Sequence, residues 1–402
     1  MDLISYGSHA FFVTVHQPPV WGRWAETVFT KKKVSITAAK AFIVALFAFW
    51  CQTSFAQEFE VDGIQYAVTS QSECEVTKYI GTASSVTIPK TVSSENQVYT
   101  VRGIGRDAFR ELDGLTKINI LEGITGIGES AFRDCTGLEE VTIPGSVDSI
   151  GIYAFSGCTA LTNLVLSEGV ESVGGAAFYG CTALKEVVIP GSVKTWGSIF
   201  TDPVNNQGRL LGVFTDCTGL EKVTISEGIT STGRCMFSAC RELKEVVLPQ
   251  SLTSISDGTF TSCSSLSHIT LPESVTSLDE YAFQYCISLA EISIPENLTN
   301  IQRFTFSGCS KLSRVRIPNN VTGIGERAFS GCEELTEVVF GERVDSIGAY
   351  AFASCVGLTE MDLPQSITKI GDGIFSGCTG LTKIVLPEKV DSIANGMYSG
   401  CT

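Results

Sequence analysis

The stretch GLEEVTIPGSVDSIGIYAFSGC, residues 137–158, decides the fold because similar stretches follow one another along the chain. Val141 and Ile143 are two residues apart, so in an extended strand they point to one side while Thr142 points to the other. Pro144 has no N–H to offer a neighbouring chain and therefore ends the strand. The first half of the stretch thus predicts a short strand with one apolar side.

The second half of the stretch turns the chain back towards its start. Val147 and Ile150 are three residues apart and point inward across a bend, Gly151 permits the turn, and Phe155 and Cys158 close one coil. A single coil cannot bury its apolar side alone. We therefore expect the coils to stack, so that aliphatic, phenylalanine and cysteine columns form one continuous core.

The repeat has a period of 23 residues. Cysteines recur at this interval from Cys135 onward, except for one interval of 36 between Cys181 and Cys217, which implies a 13-residue insertion. Phenylalanines recur three residues before the cysteines, and Tyr398 takes the last such position. A period in the range of roughly 20–50 residues indicates a solenoid. The 402 residues therefore predict one elongated repeat solenoid of about 13 coils.

Thirteen pairs of inward residues mark the strands of this solenoid. The pairs are Val86/Ile88, Ile118/Ile120, Val141/Ile143, Leu164/Leu166, Val187/Ile189, Val223/Ile225, Val246/Leu248, Ile269/Leu271, Ile292/Ile294, Val315/Ile317, Val338/Phe340, Met361/Leu363 and Ile384/Leu386. At the usual strand spacing they would form one parallel β-sheet, roughly 60 Å long, along one face. Since neighbouring coils hold one another, a defect in one coil should fray the array locally.

The first 56 residues have the pattern of an export signal. Basic residues at 31–40 precede an uncharged apolar run at 41–50. Ten apolar residues are too few for a membrane-spanning helix, which needs about 20, but they suit a signal-peptide core. We expect cleavage between Ala56 and Gln57, with an uncleaved anchor as the alternative. Residues 1–30 fit the pattern poorly and are expected to come from a start site placed too far upstream.

These patterns divide the chain into three parts. Residues 1–56 are expected to be a leader and signal peptide, 57–85 an N-terminal capping segment, and 86–402 the solenoid, with its insertion near 198–212. No other segment is apolar enough, over a sufficient length, to cross a membrane.

The repeat resembles the BspA-type leucine-rich repeat in its Leu-x-x-Val-x-Ile-Pro strand, its Ser-Val-x-Ser-Ile-Gly bend and its Ala-Phe-x-Gly-Cys-Thr-x-Leu corner. Clean copies lie at 141–158, 315–332 and 384–401, and the resemblance covers about 59–402. It implies a leucine-rich-repeat solenoid and an exported protein, surface-displayed or secreted, that binds other macromolecules, often in adhesion. It assigns no catalytic residues, so none are carried over.

Composition argues against several classes of function. The chain has 28 basic and 43 acidic residues, a net charge of −15, whereas nucleic-acid binding relies on basic patches. Of three histidines, only His268 lies beyond the leader, and we expect it on the outward side of a strand as a solvated residue. We therefore expect no enzyme, no cofactor and no metal site.

Fourteen cysteines follow the leader, and twelve of them occupy one equivalent corner per coil. Equivalent residues on adjacent coils would lie roughly 4.8 Å apart and parallel, whereas a disulfide needs converging Cβ atoms about 3.8 Å apart. We expect these twelve to be buried thiols, with some inter-coil disulfides as the alternative. Cys74 and Cys235 lie outside this column, and the sequence leaves their oxidation state open.

The outward side of the strands is the main candidate for binding. Its first row is Lys117, Glu140, Asn163, Glu186, Lys222, Glu245, His268, Glu291, Arg314, Glu337, Glu360 and Lys383. Its second row is Asn119, Thr142, Val165, Val188, Thr224, Val247, Thr270, Ser293, Arg316, Val339, Asp362 and Val385. Solenoids bind partners on such extended faces. The alternative is that valine and threonine suit strands while the glutamates only prevent association.

Particular residues on this face and in the insertion are our candidate binding residues. On the strands they are Glu140, Glu186, Glu245, Glu291, Arg314, Arg316, Glu337 and Glu360, of which the two arginines form a local basic spot. In the insertion they are Asn205, Asn206 and Arg209, because inserted loops often carry recognition. The alternative for the insertion is a tolerated surface excursion, since added loop length costs little.

The sequence thus predicts an exported protein, secreted or at the cell surface, that binds another protein. Adhesion to a host, matrix or neighbouring-cell protein is the expected role, and the net acidity predicts a partner with a basic patch. The alternative is a structural surface-layer or stalk component that self-associates. Because solenoids normally end in a polar cap, the last coil at Cys401-Thr402 is where we expect either a longer natural chain or self-association.

Overall fold

The computed structural model describes residues 57–200, 209–390 and 393–401, and it confirms the predicted repeat solenoid of about 13 coils. Strands and turns make up these ranges, in which no helix occurs. The predicted signal peptide lies outside the described residues.

Each coil of the solenoid contributes short strands. In the first part of the chain they are β1 Glu58–Val61, β2 Ile64–Val68, β3 Glu73–Tyr79, β4 Ser85–Ile88, β5 Thr91–Ser94, β6 Gln97–Ile104, β7 Lys117–Ile120, β8 Gly126–Ile127, β9 Glu140–Ile143, β10 Ser149–Ile150, β11 Asn163–Leu166, β12 Ser172–Val173, β13 Glu186–Ile189, β14 Thr195–Trp196 and β15 Ile199–Phe200. In the second part they are β16 Leu210–Leu211, β17 Lys222–Ile225, β18 Glu245–Val247, β19 Ser254–Ile255, β20 Ser277–Leu278, β21 Asn300–Ile301, β22 Arg314–Arg316, β23 Gly323–Ile324, β24 Glu337–Val339, β25 Ser346–Ile347, β26 Glu360–Asp362, β27 Lys369–Ile370 and β28 Lys383–Val385.

The solenoid begins with a small antiparallel sheet that continues into the coils. β1, β2 and β3 pair antiparallel, β3 then pairs parallel with β6, and β5 and β6 form a hairpin. Tyr79 at the end of β3 stacks on Phe109, with ring centroids 5.4 Å apart. This antiparallel sheet therefore packs, through Tyr79, against the start of the core that the coils share.

The core is a set of columns that run through all coils. The phenylalanine column from Phe109 to Phe375 is stacked, with centroids between 4.9 Å (Phe109–Phe132) and 6.3 Å (Phe352–Phe375). Inward residues of the strand and the bend, such as Val141, are buried beside it. Stacking of equivalent residues on neighbouring coils therefore buries the apolar side that a single coil leaves exposed.

Two kinds of strand form two ladders. We call the strands of the Leu-x-x-Val-x-Ile-Pro segments the front strands; they are β4, β7, β9, β11, β13, β17, β18, β22, β24, β26 and β28. We call the two-residue strands of the following bend the second strands; they are β8, β10, β12, β14, β19, β20, β21, β23, β25 and β27. All inter-coil pairs in both ladders are parallel and in register, as in Glu140↔Asn163.

The expectation of one continuous front sheet is wrong. The front strands form four sheets, β4–β7–β9–β11, β13–β17–β18, β22–β24 and β26–β28, and the described residues 268–271 and 291–294 form no strand. Ile269 and Ile292 nevertheless stay buried. Burial of apolar side chains does not depend on direction, so it persists at a spacing between coils that is too wide or misaligned for backbone hydrogen bonds.

A glycine column controls how closely the coils approach. At Gly151, φ is not in the left-handed region, but an added Cβ would lie 2.6 Å from the backbone carbon of Gly128. This glycine is therefore required by the contact between coils rather than by the turn. In three successive coils the equivalent position is not glycine but Ser256, Asp279 and Gln302.

The coils that lack glycine at this position are also the coils in which the front ladder is open. The front segments that follow Ser256, Asp279 and Gln302 form no ladder with the preceding coil, and only isolated bonds such as Ala290 N–H to the carbonyl of Ser267 remain. Where the column carries glycine, front strands pair in most coils, with breaks only between β11 and β13 and between β24 and β26. At the column itself the coils stay in contact, because the amide of Asp279 donates to the carbonyl of Ile255 at 2.9 Å, much as the amide of Gly151 donates to Ile127 at 2.8 Å.

Candidate functional site

The front strands place all eight predicted strand-face residues at the surface. Glu140, Glu186, Glu245, Glu291, Arg314, Arg316, Glu337 and Glu360 are exposed, and the parallel register sets members of each row side by side on neighbouring coils. We call this surface, made by the outward residues of the two rows, the strand face. It is continuous in position even where its hydrogen-bond ladder is open.

Ion pairs along the first row neutralise much of its acidity. Lys117 pairs with Glu140 at 2.8 Å, Lys222 with Glu245 at 2.6 Å, Arg314 with Glu337 at 2.7 Å and Lys383 with Glu360 at 3.7 Å. All are solvent-exposed, so each contributes at most about 1 kcal/mol to stability. Their main effect is on the charge that a partner meets.

The predicted basic spot is likewise neutralised, because Arg314 pairs with Glu337 and Arg316 pairs with Glu296. Glu186 and Glu291, in contrast, have no ion-pair partner among the described residues. Glu186 nevertheless has Lys222, which pairs with Glu245, in register beside it on the next front strand.

Glu186 lies in a groove of the strand face. The groove has a volume of about 500 Å³ and crosses the break between β11 and β13, where Asn163, Glu186 and Lys222 line one side. Val165 and Val188 line it in the second row, with 43% and 55% of their surface exposed. A charged group and exposed apolar side chains thus share one concave site.

Beyond the groove, exposed valines occur singly in the second row. Val247, Val339 and Val385 are exposed by 41–44%, and each is flanked by polar or charged residues of the row. Single exposed apolar residues are normal on a protein surface. Exposed valines on adjacent coils occur at the groove, in Val165 and Val188.

The insertion forms a hairpin in which β15 pairs antiparallel with β16. Arg209, just before β16, donates to Asp216 at 2.7 Å, so this predicted recognition residue is held by an acid of the next corner. The other two loop candidates, Asn205 and Asn206, lie outside the described residues.

The cysteine column consists of free thiols, as predicted, and they are buried from Cys135 to Cys378 and half-buried at Cys401. All fourteen described cysteines are free. From Cys135 to Cys401, each thiol of the column donates to the carbonyl oxygen of a phenylalanine in the preceding coil region, as Cys286 does to Phe260 at 3.1 Å. Cys74 is buried in β3 and Cys235 is half-buried, and burial raises the pKa of both thiols to about 11.

The described residues contain no group of three or more His, Cys, Asp and Glu side chains that could hold a metal ion. His268 is exposed on the strand face, as expected, and its Nδ1 lies 3.3 Å from the hydroxyl of Ser267. No helical segment in the described ranges has the length and hydrophobicity of a membrane span.

One surface feature was not anticipated from the sequence. Tyr281, Phe304, Arg327 and Tyr350 occupy equivalent corner positions on four successive coils, all with φ between 52° and 60°. Tyr281 stacks on Phe304 at 5.0 Å, and the guanidinium of Arg327 lies between Phe304 and Tyr350. Their 23-residue spacing is the signal that reveals the stack.

The fold and its surfaces define a leucine-rich-repeat solenoid without an assembled catalytic constellation among the described residues. Residues 79–202, 211–313 and 301–402 match the family described as "BspA type Leucine rich repeat region", in six copies. The chain belongs to the BspA-type leucine-rich repeat family.

Two solved structures illustrate the similarity. A leucine-rich repeat protein from Bacteroides ovatus is 31% identical, with 85% of this chain and 92% of that chain covered and a TM-score of 0.66. A leucine rich cell surface protein from Faecalibacterium prausnitzii is 28% identical over 86% of this chain and 92% of that chain, with a TM-score of 0.52. No curated protein sequence matches this chain.

Proposed function

We propose that the protein is exported, displayed at the cell surface or secreted, and binds another protein through its strand face, in adhesion to a host, matrix or neighbouring-cell protein. The groove around Glu186 carries this proposal, because it combines a carboxylate without an ion-pair partner in the described chain with the exposed Val165 and Val188. The cell-surface description of the Faecalibacterium relative supports the location.

The proposed partner carries a basic patch that faces Glu186. Charge complementarity of this kind increases the association rate and is weakened by salt. The valines add apolar contact, which salt does not weaken. We therefore expect the affinity to fall between about 50 mM and about 500 mM salt without vanishing.

The test begins with a binding screen of the purified protein against extracellular-matrix and cell-surface proteins. For a partner found in this way, Glu186→Lys should weaken binding at least about tenfold, or about 1.4 kcal/mol. Glu333→Lys is the matched control, since Glu333 is an exposed corner residue away from the strand face. Equal affinity of both variants and the unmodified protein would place the binding site elsewhere.

Light scattering on the same sample distinguishes the adhesin from the alternative, a structural component that self-associates. A structural surface-layer or stalk component would assemble with increasing protein concentration in the absence of any partner. A monomeric solenoid that binds a partner saturably supports the adhesin proposal, whereas ordered self-assembly without a partner supports the structural one.

A further inference from the structure

The insertion opens a cleft on the side of the solenoid formed by the second strands. The ladder β8–β10–β12–β14 ends at Trp196, and the next second-strand bridge joins Ser231 to Ser254. At the front strands and in the phenylalanine column the same two coils remain in contact, because β13 pairs with β17 and Phe178 stacks on Phe214 at 5.1 Å. The coils therefore diverge only at the second strands, like a wedge.

The resulting cleft is large enough for a small ligand. Its volume is about 490 Å³, within the range of roughly 300–1,000 Å³ typical of ligand sites. Residues 191–196 line one wall, and residues 228–234 line the other. It shares no lining residue with the groove of the strand face.

Backbone donors point into the cleft. In the preceding coil, the amides of Lys194 and Thr195 donate to Glu171, and the amide of Gly197 donates to Val173. The equivalent amides of the next coil belong to Thr230, Ser231 and Gly233, and they have no acceptor among the described residues. These N–H groups face the gap where the preceding coil would lie, so a bound ligand can supply the missing acceptors.

An indole forms the apolar part of the cleft. Trp196 takes the position that Val173 holds in the preceding coil. It is only partly buried, and its Nε1 donates to the carbonyl of Ser231 at 3.2 Å. Gly233 accommodates it, because a Cβ there would lie 2.7 Å from the Trp196 Cβ. An aromatic ring beside several N–H and hydroxyl groups suits a ligand with an apolar C–H face and many oxygens.

Two basic side chains line the cleft, and each is already paired with a neighbouring acid. The described residues of its lining include Lys194 and Arg234 and no carboxylate, although the chain has 43 acidic and 28 basic residues. Lys194 pairs with the exposed Glu171 and Arg234 with the half-buried Asp257, and neither acid is part of the described lining. A ligand carboxylate can therefore compete for the same guanidinium or ammonium group.

We propose that this cleft binds an acidic saccharide, a sugar unit that carries a carboxylate. The indole packs against the C–H face of the ring, the free amides and hydroxyls bond its oxygens, and Lys194 and Arg234 hold the carboxylate. The site is separate from the strand face, so a protein partner and a saccharide can bind the same molecule.

Tryptophan fluorescence tests this site directly. The chain has four tryptophans, and replacement of Trp21, Trp24 and Trp50 with phenylalanine leaves Trp196 as the only one. The full-length protein with these changes is titrated with digalacturonic acid and with neutral galactobiose. We expect a saturable change in emission with the acidic disaccharide and at least about tenfold weaker binding of the neutral one.

Variants separate this site from the rest of the surface. Arg234→Gln should weaken binding of digalacturonic acid at least about tenfold, and Trp196→Ile, which restores an aliphatic ladder residue, should abolish it in calorimetry. Glu186→Lys on the strand face should leave it unchanged.

Three results would overturn the proposal. They are no saturable change with either disaccharide up to about 10 mM, equal affinity for both disaccharides, and unchanged affinity in Trp196→Ile.

Discussion

The ladder cysteines combine apolar packing with a hydrogen bond. A small thiol fills the corner beside each phenylalanine, and its S–H donates to a carbonyl of the neighbouring coil, as Cys309 does to Phe283 at 3.2 Å. Burial raises the pKa of the Cys286 thiol to about 12, because the thiolate would lose its hydration. Since the thiolate is the reactive form, these residues should be chemically inert in the folded protein.

Alkylation measures this inertness. At pH 8, iodoacetamide should modify Cys286 far more slowly in the native protein than in urea, with peptide mass spectrometry as the readout. Cys235 is half-buried and has a pKa raised to about 11, so it should react before the fully buried Cys286 but still slowly. Equal native rates for Cys286 and Cys235 would contradict burial of the ladder.

The glycine column makes a second prediction about single residues. Gly151→Ala places a Cβ 2.6 Å from backbone atoms of the preceding coil, so overpacking should cost about 1–3 kcal/mol of unfolding free energy. Gly114→Ala is the matched control, because a Cβ at Gly114 has no atom within 4 Å. Urea unfolding should show a clear loss for the first variant and little change, or a small gain, for the second.

Much of each coil follows from sequence, because its period fixes which residues lie at equivalent positions. The inward pairs of the front strands, the buried cysteines and the exposed glutamates were all predictable from alternation and spacing. The groove and the second-strand cleft were not predictable. Both arise where the distance between coils changes, and that distance depends on contacts such as Gly151 against Gly128 that no single coil encodes.

One coil can be weakened to test how far a defect spreads. Phe283 is fully buried in the phenylalanine column, with its ring stacked on both Phe260 and Phe306. Phe283→Ala should cost about 3–5 kcal/mol, mostly as local opening, because each coil contacts only its neighbours. Hydrogen exchange should therefore accelerate in the coils around residues 237–329 and stay unchanged around 109–178.

Phe304, a partly exposed corner residue, provides the control for this experiment. Phe304→Ala removes a ring from the outer stack with Tyr281 but leaves the inner column intact. It should produce a smaller and more local change in exchange. Uniform acceleration over the whole solenoid in Phe283→Ala would indicate a globally cooperative fold instead of a nearest-neighbour one.

The solenoid presents different chemistry on its different faces because equivalent residues of successive coils lie on the same face. The strand face repeats charged and apolar rows coil after coil, while the insertion changes only one junction of the second strands. This arrangement lets one loop create a local site without disturbing the front ladder between β13 and β17. Extended and local binding surfaces can therefore coexist on one scaffold.

The same repetition should make the protein sensitive to alkali. A thiol whose pKa is raised in the folded state stabilises the fold fully below its ordinary pKa of 9.0, and this contribution is lost as the pH rises towards the folded value, about 12 for Cys286. At pH 10, one such thiol should have lost on the order of 1 kcal/mol. The urea midpoint should thus fall between pH 8 and pH 10, and it should fall less in Cys286→Ala, which has one titrating thiol fewer. Identical pH dependence of the two proteins would show that this thiol is not protected by the fold.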